Sequence, residues 1–127
     1  LEMVSGSDTL SPGTHCNNVS FWISNTSASP ITVSSINLTW TSPVAYYRTV
    51  TWNGVTVFDS PNPKAASGEL VMFSSPQTVN PGETVTVQLQ AYQSQTTGGP
   101  KVDMTGADFT VEFSDGSTFD FVPSICL

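Results

Sequence analysis

Positive charge is nearly missing from this chain. Arg48, Lys64 and Lys101 are its only fixed cations, and with ten carboxylates the formal net charge is −7. A surface that grips phosphates needs several clustered cations, so nucleic acid is excluded as a partner. An anionic membrane surface is disfavoured on the same ground. There is a single histidine, His15, and there are only two cysteines. No apolar run approaches the roughly 20 residues of a helical membrane span, so no membrane insertion by these residues is expected, and no signal-peptide pattern opens the chain. Helical periodicity is also lacking: no window of about 11 residues carries a convincing 3.6-residue repeat.

What is present is hydroxyl. The 127 residues include 18 serines and 17 threonines, with 38% hydrophobic and 10% charged residues. Polarity here comes from hydroxyls and amides. The length fits one domain, residues 1–127, with a core large enough that folding needs no metal, and no cofactor is expected.

The spacing of Cys16 and Cys126 excludes a CxxC redox or zinc site. A disulfide and two buried free thiols both remain open. Low charge, abundant Ser and Thr and an even cysteine count favour the disulfide, and with it an oxidising, extracellular or cell-surface setting. Such a bridge closes nearly the whole chain, worth roughly 4–5 kcal/mol as an upper figure in the chain-entropy model. It would also place the first and last strands side by side.

Apolar residues alternate with period two. Val19, Phe21 and Ile23 share one phase, with Trp22 on the other, and Asn25 to Pro30 makes a turn. Ile31 and Val33 then precede Ile36, Leu38 and Trp40, which fall one place out of phase; a bulge at Ser34-Ser35 restores all five to one face. Asn53-Gly54 is a two-residue hairpin signal, pairing Trp52 with Val55 and Val50 with Val57. Ser60 to Gly68 reads as a loop, Leu70 to Phe73 as a short strand, Asn80 to Glu83 as a turn, Val85 to Leu89 as a strand and Gln93 to Lys101 as a second long loop. Around Asp115-Gly116, only a three-residue loop, Ser114 to Gly116, puts Phe109, Val111 and Phe113 on the face of Phe119 and Phe121. That requires a type I turn closed by Gly116 in a G1 bulge. The pattern predicts about seven to nine strands in an all-β, two-layer antiparallel sandwich.

Groups able to carry catalysis are few. His15 adjoins Cys16, but neighbours on a strand point to opposite faces and the thiol is expected to be oxidised. No G-x-S-x-G occurs, and a lone histidine limits any triad. The chain is read as non-enzymatic. Asp103, Asp108, Asp115 and Asp120 gather in the last quarter and offer calcium its preferred oxygens, yet no D-x-D-x-D-G loop is present; acidic turns solvated by water are the plainer reading. Asn18, Asn25 and Asn37 each head an N-x-S/T triplet and are glycan sites only in a host with the transferase.

The aromatics offer the best route to binding. Trp22, out of phase with its neighbours, should face outward, and Tyr46 and Tyr47 follow Pro43. An exposed aromatic row suits the apolar C–H face of a pyranose. Trp40 and Trp52 are in phase with the core, and Trp22 is equally suited to a subunit contact.

Phe21-Trp22-Ile23-Ser24-Asn25-Thr26, then Ile31-Thr32-Val33, then Asn80-Pro81-Gly82-Glu83-Thr84-Val85-Thr86-Val87 resemble the recurring strands of prokaryotic immunoglobulin-like surface domains. Ala107 to Val122 is similar to the final hairpin of the β-sandwich carried by some prepilin-like surface proteins. The apolar helix that assembles pilin-type filaments is not among these residues. The resemblance implies an immunoglobulin-like sandwich serving as a structural or adhesive subunit of a surface filament or appendage, with subunits of the same or a related assembly as partners. The alternatives are a carbohydrate-binding module using Trp22, Tyr46 and Tyr47, and an accessory domain of a larger secreted protein.

Overall fold

Alternation in the sequence becomes alternation in burial. Along Asn18–Ser24, Val19, Phe21 and Ile23 are buried while Ser20, Trp22 and Ser24 face the other way. A strand's side chains point to opposite faces in turn, so one sheet face is apolar and must be covered. The computed structural model describes residues 1–127 and contains only strands and turns. The strands are β1 (Glu2–Met3), β2 (Thr9–Ser11), β3 (Asn18–Ser24), β4 (Ile31–Trp40), β5 (Thr49–Trp52), β6 (Val55–Asp59), β7 (Leu70–Val79), β8 (Thr84–Gln90), β9 (Gln93–Gln95), β10 (Gly98–Lys101), β11 (Phe109–Phe113) and β12 (Thr118–Phe121).

Two antiparallel sheets form the sandwich. One has six strands in the order β1-β3-β8-β5-β6, with β2 also on β3; the other has four, in the order β12-β11-β4-β7. Their apolar faces meet through aromatic contacts. Phe21 of the first sheet lies 5.2 Å from Phe121 of the second, centroid to centroid, and Trp52 lies 5.7 Å from both Phe73 and Phe113. Trp40 packs edge-on against Tyr92 at 5.3 Å. Each such buried side chain contributes about 1.5–3 kcal/mol through area removed from water.

The expected turns are present. The last hairpin pairs Phe109 with Phe121 and Val111 with Phe119; Phe113 N donates to Ser117 O, and Gly116, at φ 92°, closes the loop by donating to Phe113 O. The register of β4 against β7 breaks between Val33 and Ser35, and Val33, Ile36, Leu38 and Trp40 are all buried. Ser34 N donates to Ser114 Oγ at 2.8 Å, so the irregular point of β4 is tied to the tip of the last hairpin.

Four expectations need correction. The structure has twelve strands where about seven to nine were expected, because short pieces (β1, β2, β9 and β10) also pair. Gln93 to Lys101, expected as a loop, forms the two-stranded β9–β10 sheet. β7 runs on to Val79, past the residues Phe73 to Pro76 that have no partner in β4. In the Asn53-Gly54 hairpin Trp52 does oppose Val55, but Val57 is an extra residue, so Val50 opposes Phe58. The bulge lets Val57 stay buried while Thr56 and Asp59 remain outside.

Candidate functional site

The outward face of the six-stranded sheet is built by the second phase of the same alternation. Antiparallel partners share a face, so the registers generate rows across the strands. One row runs Thr9, Ser20, Gln88, Thr51, Thr56 over five strands. Beside it Trp22 opposes Thr86, and next Ser24 opposes Thr84. On the other side Gln90, Thr49 and Asp59 form a row, with Ser11 opposite Asn18. Hydrogen bonds fix parts of this surface: Thr51 Oγ1 and Gln90 Nε2 both donate to Gln88 Oε1 at 3.2 Å. Asn53, held at φ 49° by the hairpin turn, accepts from Thr86 N through Oδ1 at 2.8 Å.

Trp22 is the one aromatic in this face and is 48% exposed. Its backbone is fastened on the β1 side, where Val4 N donates to Trp22 O and Trp22 N donates to Ser7 Oγ at 3.0 Å. Charge is confined to the margins. Glu2 sits on β1 opposite Ser24, and Asp59 on β6 is bonded by Arg48 Nε at 2.8 Å. The hydrogen bond from Arg48 holds the Asp59 carboxyl below the usual range. Of the three cations, Lys64 is buried with Nζ donating to Pro61 O, and Arg48 is engaged with Asp59.

Tyr46 and Tyr47 part company. Tyr47 is completely buried, packed 5.5 Å from Tyr92, so of the two only Tyr46 reaches the surface. Tyr46 pairs with Gln93 and Tyr47 with Ala65, which makes this segment a bridge between the six-stranded sheet's neighbourhood and the loop before β7. Neither the Tyr47 nor the Tyr92 hydroxyl has a protein partner. Burial, with Glu69 adding to it, pushes the Tyr47 phenol up; burial, with Tyr47 adding to it, does the same to Tyr92. A cleft of about 190 Å³ lies beside Tyr46, lined by Trp40, Pro43, Val44, Ala45 and Ser67 among others. Ser67 Oγ already bonds both Trp40 N and Trp40 O, and Trp40 Nε1 donates to Pro43 O, so these groups of the cleft wall are paired.

Cys16 and Cys126 form the disulfide, 110 residues apart in sequence with Cα atoms 5.7 Å apart. Leu10 bridges Cys126 in parallel, with Leu10 N donating to Ile125 O and Leu127 N to Leu10 O, so the C-terminal residues lie against β2, while Leu1 sits beside Asp115 at the tip of the last hairpin. His15 therefore has no thiol beside it to activate. The three sequons differ. Asn25 is buried and spends Nδ2 on Ser29 O and Val79 O, both at 2.8 Å, while Oδ1 accepts from Ser27 N and Ser27 Oγ. Asn18 accepts from Ala91 N at 2.8 Å, and Asn37 lies on β4 between Leu70 and Glu112.

The four aspartates do not assemble, and three of them are taken up locally. Asp103 accepts from Thr105 Oγ1 and Thr105 N, which hold its carboxyl below the usual range. Asp115 accepts from Ser117 and Asp120 from Thr110, while Asp108 is exposed in the turn before β11. No three acidic, histidine or cysteine side chains converge as a metal site would require. Asp103, Asp115 and Asp120 serve instead as acceptors within their own turn or strand pair.

Asn25 as a buried staple and Tyr92 as a core residue were both missed from the sequence. The Asn-x-Ser turn carried a signal for the first, since an Asx side chain at a turn bonds the backbone two residues on. No protein-family model matches the chain, and no curated protein matches it either.

Proposed function

We propose that this chain is a non-enzymatic extracellular domain of immunoglobulin-like kind, acting as a structural or adhesive subunit of a cell-surface filament or appendage. The observation that carries the reading is the Cys16–Cys126 bridge, which joins the segment between β2 and β3 to the C-terminal residues across 110 residues. A bond of that span restrains the unfolded chain strongly and is characteristic of an oxidising compartment. Load carried between Cys16 and Cys126 passes through the bridge and not through the strands that the bridge encloses. Edge strand β7 adds support: it leaves one side unpaired in its sheet, with Leu70 and Met72 exposed along it. An edge of this kind is a template for association with another chain.

Immunogold labelling of native cells with antibody raised against the folded domain tests the proposal. Gold on surface appendages is the expected result. Label confined to the cytoplasm, or a soluble single-chain protein as the only labelled species, overturns it.

A further inference from the structure

Beyond that reading, and independent of it, we propose that the outward face of the six-stranded sheet binds a neutral polysaccharide, with Trp22 as the stacking residue. The argument begins from where charge is not. The chain carries thirteen charged side chains, yet this face holds only Glu2 and Asp59, at opposite edges, and Asp59 is already paired with Arg48. Between them lie hydroxyls and amides in register, with one half-exposed indole. A surface of this make-up offers a polyol what it needs: an apolar ring for the C–H face of a sugar and neutral donors and acceptors for its hydroxyls.

Geometry favours a chain over a single sugar. Neighbouring strands lie about 4.8 Å apart, close to the advance of one pyranose along an extended β-linked glycan. A glycan laid across the strands therefore follows one row and meets a fresh strand at nearly every ring. The Gln88 carboxamide oxygen is fixed by Thr51 and Gln90, so part of the polar surface is set before any ligand arrives. Immobilising those groups in advance lowers the ordering cost of binding.

The same features argue against other occupants. Interfaces between copies of a chain have an apolar centre, whereas here a single tryptophan stands among hydroxyls. An acidic glycan finds no free cation on the strands of this face: Arg48 is bound to Asp59, and the exposed Lys101 is on β10, in the separate two-stranded sheet. Trp22 can also be removed without dismantling the fold, because its backbone contacts with Val4 and Ser7 do not involve the indole.

The test uses the whole domain and titrates its tryptophan fluorescence and calorimetric heat with hexasaccharides of β-1,4-glucose, β-1,4-N-acetylglucosamine, β-1,4-xylose and α-1,4-glucose, with oligogalacturonate as the acidic control. At least one neutral hexasaccharide is expected to bind, with little dependence on salt. Trp22→Ala should weaken that binding by about tenfold or more, Gln88→Ala should weaken it less, and Tyr46→Ala should leave it unchanged. Melting curves confirm that each variant is folded. Absence of binding to all four neutral probes, unaltered binding by Trp22→Ala, or equal binding of oligogalacturonate overturns the proposal. None of these outcomes bears on where the protein is found in the cell, so the two proposals can fail separately.

Discussion

Asn25 and Val79, 54 residues apart, are joined by a buried hydrogen bond: the Asn25 side-chain amide donates to the Val79 carbonyl at 2.8 Å. Asn25 also exchanges backbone bonds with the β7–β8 turn, donating to Glu83 O and accepting from Gly82 N. One residue thus ties the turn between β3 and β4 to the turn between β7 and β8, and so holds one end of the first sheet to the corresponding end of the second.

Replacing that residue tests the tie. Asn25→Ala removes the side-chain donor to the Val79 and Ser29 carbonyls and the acceptor of Ser27 N and Ser27 Oγ, and it should cost about 2–3 kcal/mol. Asn37→Ala, which removes no hydrogen bond, should stay within about 0.5 kcal/mol. Denaturant midpoints of the two variants give the comparison. In a host that glycosylates sequons, peptide mapping should find Asn25 unmodified, because its amide nitrogen is spent inside the fold.

The disulfide is the next target. Replacing Cys16 and Cys126 together by serine should lower stability by about 2–5 kcal/mol, with the loss arising chiefly in the unfolded ensemble. Intact mass with and without reductant should differ by about 2 Da, one hydrogen for each thiol released. An equal denaturant midpoint in the double variant would show that the bridge contributes no stability.

Alkaline pH should act through Tyr47 and Tyr92. Burial raises both phenols in the folded protein, whereas in the unfolded chain they ionise near pH 10. Below that pH both states hold the proton and stability does not depend on it. Above it the unfolded state releases protons that the folded state keeps, so stability falls as pH rises. Unfolding free energy measured from pH 8 to 11.5 should decline above about pH 10, and Tyr92→Phe should flatten the decline. At neutral pH the same substitution should cost less than about 1 kcal/mol, since the hydroxyl it removes has no protein partner. A loss several times larger would mean that the hydroxyl is satisfied in solution.

The two classes of tryptophan should separate cleanly. Trp52 packs on Phe73 and Phe113 between the sheets, and Trp52→Ala should cost about 3–5 kcal/mol. Trp22→Ala removes a half-exposed ring from the outer face and should cost no more than about 1 kcal/mol. Thermal melts of both variants decide it.

The sequence by itself determined what depends on neighbours along the chain. Period-two alternation put Phe21 and Ile23 inside and Trp22 outside. Asn53-Gly54 and Ser114 to Gly116 set the hairpins they close, because a turn needing positive φ leaves few choices of loop length. The phase slip at Ser34-Ser35 announced the irregularity in β4. Even the disulfide was legible, since two cysteines in an oxidising setting leave only one partner each. Tertiary structure decided what depends on distant segments. Tyr46 and Tyr47 look alike in the sequence, and only the packing of Trp40, Phe58 and Tyr92 around it took Tyr47 out of reach of solvent. Asn25 reads as one sequon among three until Val79 is folded against it. The outer rows, such as Thr9, Ser20, Gln88, Thr51 and Thr56, join five strands whose order along the chain is not their order in the sheet. Pairing register between such strands is fixed by burial of the whole core face, and no local pattern contains it.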